Sequence, residues 1–186
     1  LVPPKGLEKL LNALLDEKEF LAPGGIRSLS KIHEIPYSLN IGGQHFGLNY
    51  QPAESTTFLF GGNSNWRGPV WFPMNYLLIL SLETFGTYYK NSCQLEFPVG
   101  SGKTVNLNQA AFEISRRLIS IFKKDDSGNR PVNNNDVRYQ NDPYFKDLIL
   151  FYEFFHGDSS RGAGASHQTG WTGLIAELIN RVANHD

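Results

Sequence analysis

Two stretches of this chain hold side chains whose types and spacing could do chemistry on a polyhydroxylated ligand. The first is Asn65-Trp66-Arg67-Gly68-Pro69-Val70-Trp71-Phe72-Pro73-Met74-Asn75-Tyr76. It opens a long apolar segment, yet crowds two Trp, an Arg, an Asn and a Tyr around its start. A helix start needs only a cap and an early Pro. Flat aromatic faces beside a guanidinium suit a ligand with hydroxyls and C–H faces, which describes a sugar. The plainer alternative is a buried aromatic helix start whose Arg pairs with a neighbouring carboxylate, and the residues alone leave both open.

The second stretch is Phe151-Tyr152-Glu153-Phe154-Phe155-His156-Gly157-Asp158, followed by Gly164-Ala165-Ser166-His167-Gln168-Thr169-Gly170-Trp171-Thr172-Gly173. Glu153 stands among four aromatic rings, where an unpaired charge is costly. A carboxylate kept there has a cationic partner or a catalytic duty, unless it lies on a fraying surface end. Apolar surroundings disfavour its charged form, whereas an Arg or a helix N-terminus nearby favours it. His156, His167 and Asp158 match no standard metal-ligand spacing, so no metal site is expected. Gly100-Ser101-Gly102-Lys103-Thr104 imitates a phosphate-binding loop, but Phe97 stands where the first Gly should be. The residues after it alternate like a strand, so a hairpin turn is expected.

Composition narrows the classes further. Seventeen basic and eighteen acidic residues nearly cancel, with no basic cluster dense enough for a phosphate backbone. Nucleic acid is therefore excluded as an expected partner. No apolar run reaches membrane-spanning length, and no signal peptide is visible. One cysteine excludes a disulfide framework, and no Asn-x-Ser/Thr sequon occurs. Both fit a cytoplasmic compartment better than a glycosylated secretory one. The chain begins Leu1-Val2-Pro3-Pro4 rather than with Met, which suggests an excerpt from a longer polypeptide.

The elements that must position these residues follow from periodicity. Helices are expected over 7–18, 69–89, 107–122, 142–150 and 172–182. Hairpins are expected over 37–50 around Gly42-Gly43-Gln44, and over 93–97 with 104–107. Residues 22–30 read as a turn and a short connection, 60–65 as a Gly- and Asn-rich loop, and 125–141 and 157–170 as loops. Residues 151–156 fit either a last helical turn or a short extended segment. Each constellation is thus expected to enter the N-terminus of an apolar helix. Amphipathic helices with small hairpins predict helix-on-helix packing, a mainly α protein.

Asn65-Trp66-Arg67-Gly68-Pro69-Val70-Trp71 with Met74-Asn75-Tyr76, then Tyr152-Glu153-Phe154-Phe155, then Thr169-Gly170-Trp171-Thr172 resemble the C-terminal catalytic part of glycoside hydrolase family 63. The resemblance runs from about Ile26 onward. A similar Glu and Gly-Trp-Thr pairing occurs in trehalases of the same superfamily. It implies an (α/α)6 barrel, of which 1–186 would be the C-terminal half carrying small β-hairpin insertions. It also implies inverting hydrolysis of terminal α-glucosidic bonds without a cofactor. Glu153 would be the general base. Trp66, Arg67, Gly68, Trp71, Asn75, Tyr76, His167, Gln168 and Trp171 would form or support the glucose subsite. No motif matching the family's general acid precedes Leu7, so that acid is expected from the N-terminal part of the same enzyme. The alternative is a non-catalytic carbohydrate-binding or structural remnant.

Half a toroid leaves apolar helix faces uncovered. The isolated 186-residue chain is accordingly expected to self-associate, and a monomeric profile in sedimentation velocity would contradict the half-barrel.

Overall fold

The computed structural model describes residues 4–57 and 66–184. Its centre is helical. Around it, among the described residues, stand four separate two-stranded antiparallel hairpins. The expected loop 60–65 lies outside the described residues.

Helix α1 (Pro4–Leu14) buries Leu7 and Leu11, and Leu15 follows them into the core one residue past its end. It stops before the expected Lys18 because residues 16–19 add nothing apolar to that stripe. Asp16 turns the chain there, its carbonyl accepting the N–H groups of Glu19 and Leu21. Strands β1 (Leu21–Ala22) and β2 (Gly25–Ile26) follow as a tight buried hairpin. Strands β3 (Tyr37–Ile41) and β4 (Gln44–Leu48) pair around Gly42-Gly43, whose φ angles of 57° and 79° make the turn possible. This hairpin stands off the body, with Tyr37, Leu39, Ile41 and Phe46 all exposed.

Helix α2 (Phe72–Tyr89) carries Pro73 in its first turn, where a missing N–H costs nothing. Its inner face is Phe72, Asn75, Ile79, Leu82 and Gly86, while Met74, Leu77 and Tyr88 remain exposed. Helix α3 (Leu107–Ser120) packs along it. Gly86 permits the close approach, because a Cβ there would collide with the Asn108 side chain. The start of α3 is held by a capping box: Asn106 accepts the Gln109 N–H while Gln109 accepts the Asn106 N–H, both at 2.9 Å. Leu107, Ala111, Ile114 and Leu118 then recur at helical spacing on its buried face. Between the two helices, β5 (Gln94–Glu96) and β6 (Thr104–Asn106) form the second expected hairpin. Glu96 gathers the N–H groups of Gly100 and Gly102 in its turn. The Gly-Lys-Thr triplet therefore feeds a strand and faces no helix start, as its sequence context predicts.

Two expectations are corrected. Residues 143–147 form turns and 148–150 are irregular, so 142–150 is not a helix. Asp142-Pro143 is a genuine start signal, but Tyr144, Phe145, Leu148 and Ile149 are all exposed, so no buried face sustains the helix. The expected helix 172–182 is also split, into α5 (Thr169–Thr172) and α6 (Ile175–Ala183), with a turn at 173–174. The second constellation thus enters a short broken helix rather than a long one. Within 125–141 the loop contains a 3-10 turn at Pro131–Asn133 and the single-turn α4 (Arg138–Asn141). The ambiguous 151–156 resolves as extended: β7 (Phe154–Phe155) pairs with β8 (Gly162–Ala163).

The backbone of Val70 joins these parts. It bridges Arg27 on one side and Phe155 on the other, and exchanges both N–H···O bonds with Phe155 at 2.8 and 2.9 Å. One turn into α2, the Asn75 amide completes the tie. Its oxygen accepts the Ile26 N–H at 2.7 Å, and its nitrogen donates to the carbonyls of Ile26 and Trp71 at 3.0 Å each. Asn75 is only 3% exposed, so its loss strands buried polar backbone. Asn75→Ala is expected to lower stability by about 2–3 kcal/mol, read from the urea midpoint; an unchanged midpoint would remove Asn75 from the frame.

Candidate functional site

The expected contact residues divide into a wall and a frame. Trp66 and Trp71 stack at 4.0 Å between ring centroids, nearly parallel at 8°. Trp71 meets Phe154 at 4.9 Å and Trp171 at 5.6 Å, both tilted. Three Trp from both constellations therefore converge on one aromatic cluster, closed behind by Ala163. Trp71 and Phe154 are buried, Trp66 is partly buried, and Trp171 at 37% exposure presents the open edge. Offset and tilted pairs of this kind each add about 0.5–1.5 kcal/mol beyond burial.

The frame residues spend their polar groups on the protein itself. Arg67 is 2% exposed and donates to Asn49, Gln51, Ser55 and Thr57, all neutral acceptors. It pins residues 49–57 beneath the Trp wall, and burial pulls its guanidinium below the usual range. Gly68 has φ 151°, and a Cβ there would meet the Tyr50 ring at 2.6 Å. Asn75 serves the Ile26 tie already described. Tyr76 faces away from the cluster, beneath the Arg181 guanidinium at 6.0 Å. His167 is exposed with its ring 5.6 Å from Phe151, and the Gln168 N–H donates to the Phe151 carbonyl.

Glu153 directly precedes the Phe154 that packs on Trp71. Its main-chain N–H donates to Ala165 at 2.9 Å, and its Oε2 accepts the Ala165 N–H at 3.1 Å. The carboxyl is thereby aimed by the bend that follows β8 (Gly162–Ala163). Gly164, with φ 69°, leaves the space it needs: a Cβ there would lie 2.7 Å from Oε2. Among the described residues Glu153 has no ion-pair partner. Among the described residues its carboxyl accepts from the Ala165 N–H rather than from an Arg or a helix N-terminus.

Sequence reasoning overlooked a second polar system behind the wall. Arg27, 5% exposed, donates to the carbonyls of Glu17, Glu19 and Leu21, to the Tyr50 hydroxyl at 3.1 Å and to Asp158 at 3.0 Å. Lys31 reaches the same Asp158 oxygen at 3.1 Å. Burial would raise the Asp158 carboxyl, but Lys31 and Arg27 outweigh it and hold it low. Burial pushes the Tyr50 phenol up. Gly157 is confined there, since a Cβ would press on both the Gly68 carbonyl and the Tyr50 hydroxyl at 2.5 Å. The only local hint was an Arg directly following the apolar Ile26, in a segment read as a connection.

Cavities lie on several sides, among them one of about 460 Å³ bordered by Lys18, Lys31 and Ile35. One of about 610 Å³ runs along the C-terminal half of α2, lined by Glu83, Asn108 and Arg181. It stands apart from the aromatic cluster at the other end of that helix. A polar cavity of about 300 Å³ runs along β8 (Gly162–Ala163) and Gly164. Among the described residues no helix is long and apolar enough to cross a membrane.

No protein-family profile matches the sequence. The chain is 47% identical over 185 residues, 98% of its length, to an uncharacterized protein of Saccharomyces cerevisiae, of which it covers 17%. It is 27% identical over 174 residues to a probable mannosyl-oligosaccharide glucosidase of Schizosaccharomyces pombe, covering 94% of the chain and 15% of that protein. It is 26% identical over 123 residues to the mannosyl-oligosaccharide glucosidase of Saccharomyces cerevisiae, covering 66% of the chain and 12% of that protein. The chain is thus distantly related to mannosyl-oligosaccharide glucosidases. It spans less than a fifth of the length of each of these relatives.

His156 supplies a pH test of the turn behind the site. Its Nδ1 accepts the N–H groups of Asp158 at 3.0 Å and Ser159 at 3.3 Å, which requires the lone pair of the neutral ring. Burial lowers its tendency to protonate. The unfolded state therefore binds more protons below about pH 6.5. The stabilisation is fully present above that pH and is lost as pH falls through the lower folded value. Lower hydrogen-exchange protection factors, corrected for the intrinsic rate at each pH, at the Asp158 and Ser159 amides below pH 6.5 are the expected outcome; pH-independent protection would exclude the neutral-ring cap.

Proposed function

We propose that this chain is part of the catalytic domain of an inverting α-glucosidase that removes terminal glucose from an oligosaccharide or glucoside. The observation that carries this reading is the meeting of Trp66, Trp71 and Trp171 against Phe154, the residue next to Glu153. An aromatic wall with one open indole edge offers the C–H face of a glucose ring a surface, and a carboxylate beside it offers a proton acceptor. The distant relation to mannosyl-oligosaccharide glucosidases points the same way. The helix-rich body with small hairpins is compatible with a segment of an (α/α)6 barrel, and the length of the relatives leaves ample chain for the remainder.

In the proposed mechanism the Ala165 N–H holds Glu153 Oε2, leaving Oε1 to draw a proton from the attacking water. Water adds to the anomeric carbon as the glycosidic oxygen leaves, protonated by a general acid from another part of the polypeptide. The two carboxyls would stand about 6.5–9.5 Å apart to admit that water. Trp66 and Trp171 seat the sugar against the backing of buried Trp71, while Arg67, Gly68 and Asn75 hold the wall in place. His167 and Gln168 border the Trp171 side on the segment entering α5, and Tyr76 supports α2 from its far face. No cofactor enters the scheme.

Glu153→Gln provides the test in the whole polypeptide. An amide oxygen still accepts the Ala165 N–H, so folding should persist, while glucose release falls by about 10²–10⁴-fold or more. Near-normal release by a folded variant would end the general-base assignment.

A further inference from the structure

We propose that Thr172 is a positioning residue, whose hydroxyl fixes the place of the Trp171 indole relative to Glu153. This rests on the glucose site proposed above and identifies what holds its two halves in register, the aromatic platform and the proton acceptor. The halves come from separate segments. Glu153 lies on the strand entering β7, and Trp171 on α5, a helix of a single turn. So short a helix has no stability of its own, and Gln168 gives it no side-chain cap. It is held instead at both ends, on the two carbonyls that precede Glu153. The Gln168 N–H donates to Phe151 and the Thr172 hydroxyl to Tyr152, each at 2.5 Å. Thr172 is 0% exposed, so no solvent reaches the hydroxyl to replace it.

The two sides of this bond are unequally secured. Glu153 is held independently of it, because its N–H and its Oε2 are both bonded to Ala165. The ring of the preceding Tyr152 also lies against Gly162, where a Cβ would come within 2.2 Å of it. Beyond α5, helix α6 is rooted in the main core through Ile175 and Leu178. Trp171 has less support. Its indole is 37% exposed and meets Trp71 in a tilted contact at 5.6 Å. Packing against one part of a ring leaves it free to slide along its neighbour. The hydroxyl bond removes that freedom, since it joins the residue after Trp171 to the residue before Glu153. Breaking it moves the platform while the base stays in place, and a misplacement of about 1 Å costs about 10²-fold in rate.

The test uses the whole polypeptide and the rate of glucose release from α-linked glucose disaccharides. Thr172→Val keeps the volume and removes the donor, whereas Thr172→Ser keeps the donor. The value of kcat/KM should fall about 10- to 100-fold in Thr172→Val and stay within about threefold of the parent in Thr172→Ser. Because the bond acts through Trp171, adding Thr172→Val to Trp171→Ala should cost less than about threefold more. If Thr172→Val does not fold, Thr172→Cys, a weak donor, takes its place under the same criteria. An unchanged kcat/KM in folded Thr172→Val, whatever its urea midpoint, overturns the positioning role alone. So does a Thr172→Ser variant as slow as Thr172→Val, or full additivity with Trp171→Ala. A parent that releases no glucose, or a Glu153→Gln variant that releases it normally, overturns the glucose site and the positioning role together.

Discussion

The arrangement depends on one short piece of backbone, Val70, bonded along both edges. Arg27 lies on one side and Phe155 on the other, brought together from distant parts of the chain. A backbone buried this deeply must pair its N–H and C=O, and here the pairing is also what fixes position. It sets Trp71 against Phe154 and directs the preceding Glu153 beside the aromatic cluster. Asn75 repeats the logic one turn later, its amide standing in for a strand partner to Ile26.

Around that tie, most polar side chains that look like ligand contacts serve construction. Arg67 is the clearest case. A guanidinium beside two Trp invites assignment to substrate, yet it is buried and bonded to Asn49, Gln51, Ser55 and Thr57. Arg27 performs the same service behind the wall for three carbonyls, Tyr50 and Asp158. Asp158, partly exposed, keeps Lys31 as a second cationic partner beside Arg27. Glycines complete the frame: Gly68, Gly157 and Gly164 each occupy places where a Cβ would strike the site's own walls. The polar groups behind the aromatic cluster are thus engaged by the protein itself.

Two large apolar surfaces are left uncovered, the hairpin β3–β4 and the Met74, Leu77 and Tyr88 side of α2. The chain spans under a fifth of the relatives it matches, and these surfaces are what the proposed barrel reading would place against further chain. The contrast with residues 142–150 is instructive. There, exposed Tyr144 and Leu148 had no face to bury, and a sound local start signal did not become a helix.

Local order was legible wherever a short-range rule sufficed. The apolar stripe of α3, the Gly42-Gly43 turn and the strand after Gly102-Lys103-Thr104 each follow from spacing or from φ preferences of a few neighbouring residues. The aromatic composition of both constellations was equally visible, and so was the oddity of a Glu among Phe and Tyr. What the sequence could not decide was which polar residues face outward. Arg67 and Asn75 look alike as ligand contacts or as frame, because their partners at 49–57 and at Ile26 are chosen by long-range pairing. The extended form of 151–156 and the split of the final helix depend on the same cause. A strand gains its bonds only from a distant partner, and a helix persists only where its apolar face meets another surface. Tertiary contact therefore settled the orientation of Glu153 and which of these polar side chains are spent on the frame.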